Sequence, residues 1–333
     1  MNRRGAVLGM AGLSGVAGAG LWWLYPRPPA QLTDDAFRAS YAHPLPAPAT
    51  GLPVYHLGHS LVGHDMPAFI AQLAESAGFA GHGFHSQLGW GSSLRDHWDP
   101  AHPVNGFAEM NATQQTWRDP HEALESGAYD AFIMTEMVEL NDAIRWHDSP
   151  RHTALWAATA RRNAPGIRIY MYESWPHLTT LDDWLHRLDN DPETLWEGTI
   201  LAGAMAQPDT GVIHVIPAGR VMAALTRAVA AQGGLAGMPD HTALFARTPT
   251  GELDPIHLSD MGKYLVALTH FAVLYHQDPR GLPHALLRAD GSPAQAPSNE
   301  LADLMQAIVW SVVQSVPETG LAIANPHMQR ATQ

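Results

Sequence analysis

Cysteine is absent from the 333 residues. Disulfides, zinc–thiolate sites, a cysteine nucleophile and a lipidated cysteine anchor are therefore excluded. Charge is scarce too: only 15% of residues are Asp, Glu, Lys or Arg, with 19 basic against 32 acidic. A net charge of −13 repels a polyanion, and no basic stripe overrides it, so nucleic acid is not an expected partner. Internal repeats and low-complexity tracts are lacking. Apolar residues, by contrast, make up 46% of the chain, enough for a sizeable core in one α/β domain with insertions.

The N-terminus reads as an export segment. Arg3 and Arg4 precede an uncharged run from Gly5 to Pro26, a basic region followed by an apolar one. Ala17-Gly18-Ala19 offers a small-residue cleavage site. Uncleaved, residues 5–25 are long enough to anchor the chain in a bilayer, with Trp22, Trp23 and Tyr25 at the interface. Both outcomes place the protein outside the cytoplasm: periplasmic, secreted or membrane-anchored. The expected organisation is a signal peptide or anchor over 1–26, a Pro- and Ala-rich linker over 27–52, and one folded domain over 53–333.

Within that domain, short apolar runs predict strands at Val54–Gly58, Phe84–Leu88, Asp130–Thr135, Ile167–Tyr172 and Val212–Ile216. Helical patterns separate them at 66–77, 121–126, 151–163 and 192–206, and two more follow at 259–275 and 299–316. Asp65 stands where a helix cap belongs. Strands alternating with helices imply a parallel sheet covered on both faces. Functional residues in such sheets gather where strands end. His59-Ser60, Gly89-Trp90-Gly91, Glu136 and Glu173-Ser174-Trp175 fall at those places. Residues 92–128 are long for a connection and suit an insertion over the site.

Two segments carry chemistry. In Gly58-His59-Ser60-Leu61 a serine follows the first strand, with Gly58 expected to permit a tight turn. In Asp254-Pro255-Ile256-His257 a carboxylate precedes an imidazole by three residues, in a loop expected to open a helix capped by Ser259 or Asp260. A serine hydroxyl needs a base to act as nucleophile, and the base needs a carboxylate to hold its tautomer. Taken singly, the first segment reads better as an ordinary strand-end turn, and the second reads equally well as a helix cap with a surface histidine.

Together, in this order, they resemble the SGNH/GDSL hydrolase superfamily. The resemblance spans residues 53–276 and includes His257-Leu258-Ser259-Asp260-Met261-Gly262, similar to the opening of the family's final helix. It implies a flavodoxin-like three-layer α/β/α fold with a five-stranded parallel sheet, and serine esterase chemistry on an ester substrate such as an acetylated glycan. Ser60 is then the nucleophile, His257 the general base and Asp254 its orienter. Oxyanion donors are implied at the Ser60 amide, at Gly89 or Gly91, and at an asparagine after the third strand. The family's Gly-x-Asn-Asp is not met there. Asn141-Asp142 arrives late and without the glycine, which leaves either Asn141 or Glu136 at that position. Trp90, Glu136, Glu173 and Trp175 are the expected substrate contacts, and Arg145-Trp146-His147 is a further candidate for shaping the pocket. The chemistry calls for no metal and no organic cofactor.

Alternatives weighed on the sequence are acyl transfer to an envelope glycan, a non-catalytic carbohydrate-binding protein, a metal enzyme and an α/β-hydrolase. The Gly-x-Ser-x-Gly elbow of the last is not present, since position 62 is Val. The chain has 20 histidines, with His56, His59 and His64 close in sequence, but no His-Glu-x-x-His; most read as surface or pocket residues.

Overall fold

Short, mostly apolar runs build a five-stranded parallel sheet in the order β2-β1-β3-β4-β5. The computed structural model describes residues 30–112 and 114–322, and of residues 180–183 the backbone only. The expected export segment and its cleavage site lie outside the described residues. Among the described residues no helix is long and apolar enough to cross a membrane.

The strands are β1 (Pro53–His59), β2 (Gly83–Gly89), β3 (Ala131–Met134), β4 (Arg168–Tyr172) and β5 (His214–Ile216). Successive side chains point to opposite faces. Val54, Ile133, Tyr170, Tyr172 and Ile216 enter one core, and Tyr55, Leu57, Phe132, Met134, Ile169, Met171 and Val215 enter the other. Both faces are therefore covered, giving a flavodoxin-like three-layer α/β/α fold. The first face carries α1 (Asp65–Ser76), α4 (Ala218–Ala231), α5 (Asp260–Tyr275) and α6 (Asn299–Ser315). On the other lie α3 (Ser149–Asn163) and a π-helix, Pro192–Leu201. In α5 every residue from Tyr264 to Tyr275 is buried, so the helix is enclosed on all sides and shows no polar face.

Three features depart from the sequence reading. Helix α4 lies where no helix is expected, although Val221, Leu225 and Val229 recur four residues apart and are buried along one face. An antiparallel pair, β6 (Phe245–Arg247) and β7 (Leu253–Leu258), precedes α5. The segment expected as a linker packs on the domain from Gln31 onward: Phe37 and Tyr41 are buried, and the Tyr41 hydroxyl donates to Ile213 O at 2.7 Å.

Histidine burial sets a pH dependence. His56, His59, His97, His214 and His270 are buried. Desolvation lowers His59, His97, His214 and His270 to about 4, and pushes His56 well below its ordinary value. An unfolded histidine titrates near 6.5 and so takes up a proton that the folded one refuses. The support from these groups is complete above pH 6.5 and is lost as pH falls toward 4. Buried Glu136, Glu173 and Glu197, raised to about 7 by desolvation, act oppositely. Their support is complete below pH 4.5 and is lost as pH rises through 7. These five histidines, joined by His82 and His276, which burial also lowers to about 4, outnumber the three carboxyls, so stability measured by urea unfolding should fall from pH 6.5 to 4.5. Each group contributes a slope of about 1.4 kcal/mol per pH unit. His270→Leu should flatten the profile and Glu173→Gln should steepen it; stability that rises on acidification would contradict both assignments.

Candidate active site

β1 ends at His59, and the chain turns through Ser60–His64 into α1. Gly58 is not the turning residue. It lies within β1, where an added Cβ would sit 2.5 Å from Thr135 Cγ2, so it allows close strand packing. The left-handed position of the turn is Gly63, at φ 58°. Nor does Asp65 cap α1. It is the first helical residue, its carboxylate taken by Lys263 Nζ at 2.7 Å and by the Ala289 amide at 3.0 Å.

Asp254 and His257 lie in β7 and not in a loop that opens a helix. The Asp254 carboxylate folds back on its own strand: Oδ1 accepts from the Ile256 and His257 amides, both at 2.9 Å. Oδ2 lies 2.9 Å from His257 Nδ1. Burial works to raise this carboxyl, but the hydrogen bonds outweigh it and hold it below its ordinary value. An ionised carboxylate only accepts, so Nδ1 carries the proton and Nε2 presents its lone pair. That lone pair lies 2.9 Å from Ser60 Oγ, 197 residues away in sequence. The hydroxyl therefore donates to the imidazole, in the arrangement that a proton relay requires.

Neighbouring groups hold this chain of contacts in place. Trp175 Nε1 donates to Ile256 O at 2.9 Å, fixing β7 between the relay residues. The Ser259 amide donates to Leu244 O, its hydroxyl donates to Ala243 O, and the same oxygen caps α5 through the Gly262 amide. Ser259, and not Asp260, is therefore the cap. On the serine side His59 Nε2 donates to Glu136 O at 2.8 Å, and His97 Nε2 donates to Gly58 O at 2.8 Å. Carbonyls accept only, so both imidazoles carry the proton on Nε2. Gln87 Nε2 donates to His97 Nδ1 at 3.1 Å and completes the support. His97 and Gln87 were not singled out in the sequence, where nothing marks a lone histidine as sitting beneath a strand end.

The remaining candidates divide. In the parallel register His59 stands opposite Gly89, so Ser60 and Trp90 leave the sheet side by side. Trp90 is 47% exposed, while its amide is spent on Asn105 O. Gly89 is hemmed in, since an added Cβ would meet Ser92 Oγ at 2.2 Å; Gly91 has open space around its Cα and φ 56°. Asn141 is exposed in the first turn of the short helix α2 (Leu140–Trp146).

Glu136 and Glu173 are sealed off and do not face a ligand. Glu136 is fully buried and accepts from the Leu94 and Met137 amides and from Ser149 Oγ. It ties the ends of β2 and β3 to α3. Glu173 is buried against Arg220, which also pairs with Glu197. Trp146 is exposed beneath the Arg145 guanidinium, and His147 Nδ1 bonds Ser93 Oγ. Among the described residues no group of three or more His, Asp or Glu is placed to hold a metal ion. A cavity of about 280 Å³ opens beside Ser60 and His257.

No protein-family model and no curated protein sequence matches this chain. The residues and their geometry are therefore what the functional reading stands on.

Trp175→Phe keeps the ring in its packed place but leaves the Ile256 carbonyl unpaired. A loss of about 1–3 kcal/mol in urea unfolding is expected. An unchanged midpoint would mean that this bond does not hold β7.

Proposed function

We propose that the protein is a serine esterase of the SGNH/GDSL type. The observation that supports this most is the hydrogen-bonded line from Asp254 through His257 to Ser60, opening onto a cavity. In this reading Ser60 Oγ attacks the acyl carbon and passes its proton to His257 Nε2. Asp254 stabilises the imidazolium. His257 then protonates the departing alcohol oxygen, leaving an acyl group on Ser60. Water, deprotonated by His257, releases the acid and restores the hydroxyl.

The Ser60 and Gly91 amides are assigned to the oxyanion. Gly91 is preferred to Gly89 because it stands in open space at the end of β2. Asn141 is the remaining assignment, as third donor. Glu136 is set aside, because it is fully buried and its oxygens are taken by the Leu94 and Met137 amides and by Ser149 Oγ. Export through residues 1–26 belongs to the same proposal and rests on their sequence alone.

A sugar-bearing substrate, deacylated or acylated at a hydroxyl, is the second reading. Trp90, Phe107 and Trp117 are exposed, and the Phe107 and Trp117 rings meet edge to face at 5.8 Å. Trp90 lies against Gly106, next to Phe107. Such a shelf beside Ser60 suits stacking on sugar rings.

Short p-nitrophenyl esters and a serine-directed phosphonate test the proposal. The wild type should hydrolyse the esters and be labelled at Ser60, and Ser60→Ala should do neither. Asp254→Asn should lower kcat by roughly 10⁴-fold, since the imidazole loses its tautomer. A wild type that is unreactive, or a Ser60→Ala protein that is equally active, ends the esterase reading. For the sugar-bearing variant of the reading, Trp90→Ala should raise KM for an acetylated oligosaccharide by about tenfold and leave KM for p-nitrophenyl acetate unaltered.

A further inference from the structure

The cavity beside the relay has a definite chemical character. Val62 and Met66 line it from the Ser60 turn and α1, Trp175 from the end of β4, and Ala246 from β6. Leu258 and Val266 close it from β7 and α5. Apart from Ala246 these side chains are buried. Lys263, the single lysine of the chain, is the cation in the wall. Its charge is met by Asp65 at 2.7 Å and Asp260 at 3.6 Å, so it is not left to attract an anion. The Trp175 indole N–H is likewise spent, on Ile256 O. A polyhydroxylated group placed here would find few partners besides His64 for the water it sheds, which is costly. A methylene chain loses nothing and buries apolar surface.

We infer that this cavity binds a straight aliphatic chain of the ester substrate, of about six to eight carbons. The length follows from the 280 Å³ available, taking roughly 30 Å³ for each water-sized group and allowing for the open mouth. The inference rests on the esterase reading and narrows it: the relay acts on esters longer than acetates on at least one side of the bond. The chain is either the acyl part or the alcohol part, and the experiment separates them.

With the full chain, kcat/KM is measured on p-nitrophenyl esters from acetate to decanoate. In a second series, acetate esters of straight-chain alcohols from ethanol to octanol are followed by acid release. In one of the series kcat/KM should rise about fourfold per methylene and level off near six to eight carbons. A rise with p-nitrophenyl esters assigns the cavity to the acyl chain; a rise with the acetates assigns it to the alcohol. Ala246→Phe, which fills the cavity from the hairpin, should cut the six-carbon to two-carbon ratio of kcat/KM at least tenfold in that series. Ala246→Leu, a smaller change, should cut it less, and phosphonate labelling of Ser60 reports that each variant is folded. Flat profiles in both series, or a ratio that neither variant alters, would overturn the inference while leaving the esterase reading intact. Should no ester be hydrolysed and Ser60 stay unlabelled, the esterase reading fails instead. Calorimetric titration with 1-octanol then decides the cavity by itself: binding that Ala246→Phe abolishes supports it, and an absence of binding by the wild type refutes it.

Discussion

The 2.9 Å contact between His257 Nε2 and Ser60 Oγ joins segments 197 residues apart, and most of the carboxyl edge of the sheet serves to hold it. Neither segment is rigid alone. Ser60 sits in a turn and His257 on a short two-stranded hairpin. Each is made immobile by groups that do not touch the reacting atoms: Trp175, Ser259 and Leu244 on one side, His59, His97 and Glu136 on the other. The Lys263–Asp65 ion pair bridges α5 and α1, the helices that follow the two segments. The proposed relay, which would tolerate displacements of only a fraction of an ångström, calls for such bracing.

The bracing is largely made of neutral groups. His59 and His97 are kept uncharged by burial, each donating to a backbone carbonyl. Glu136 is drawn toward its protonated form by the same desolvation, against three donated hydrogen bonds. Asp254, partly exposed and well supplied with donors, keeps its charge beside the serine, and the Lys263–Asp65 pair carries the other charges there. Burial thus favours the neutral forms of His59, His97 and Glu136, while hydrogen bonds keep the Asp254 carboxylate charged, as the proposed relay requires.

The cavity and the aromatic shelf give the site two differently built sides. One, walled by Val62, Met66, Leu258 and Val266, offers apolar contact with its charged residues already paired. The other, at Trp90, Phe107 and Trp117, offers exposed aromatic faces along the edge strand β2. For the proposed esterase, an ester has two halves of different chemistry, and the two surfaces offer each half a different contact. Specificity built this way resides in loops and helix starts around a sheet that any flavodoxin-like protein shares.

Much of the layout was legible from the chain itself. All five strands and their parallel arrangement follow from runs of apolar residues alternating with helical patterns, because a strand covered on both faces has few polar positions. Ser60, Asp254 and His257 stood out as candidates since their residue types and order suit a relay. Their meeting was decided only by the tertiary structure. A hairpin read as a loop carries Asp254 and His257, and pairing between β6 and β7 is a non-local contact that a local pattern does not announce. The same limit explains Glu136 and Glu173: at strand ends they read as ligand-facing, yet their carboxylates turn inward to meet amides, a hydroxyl and a guanidinium supplied by distant segments. Local sequence determined which residues form strands and helices. Which side chains face one another across the sheet edge depended on packing among elements far apart in the chain, where each polar group had to find its partner.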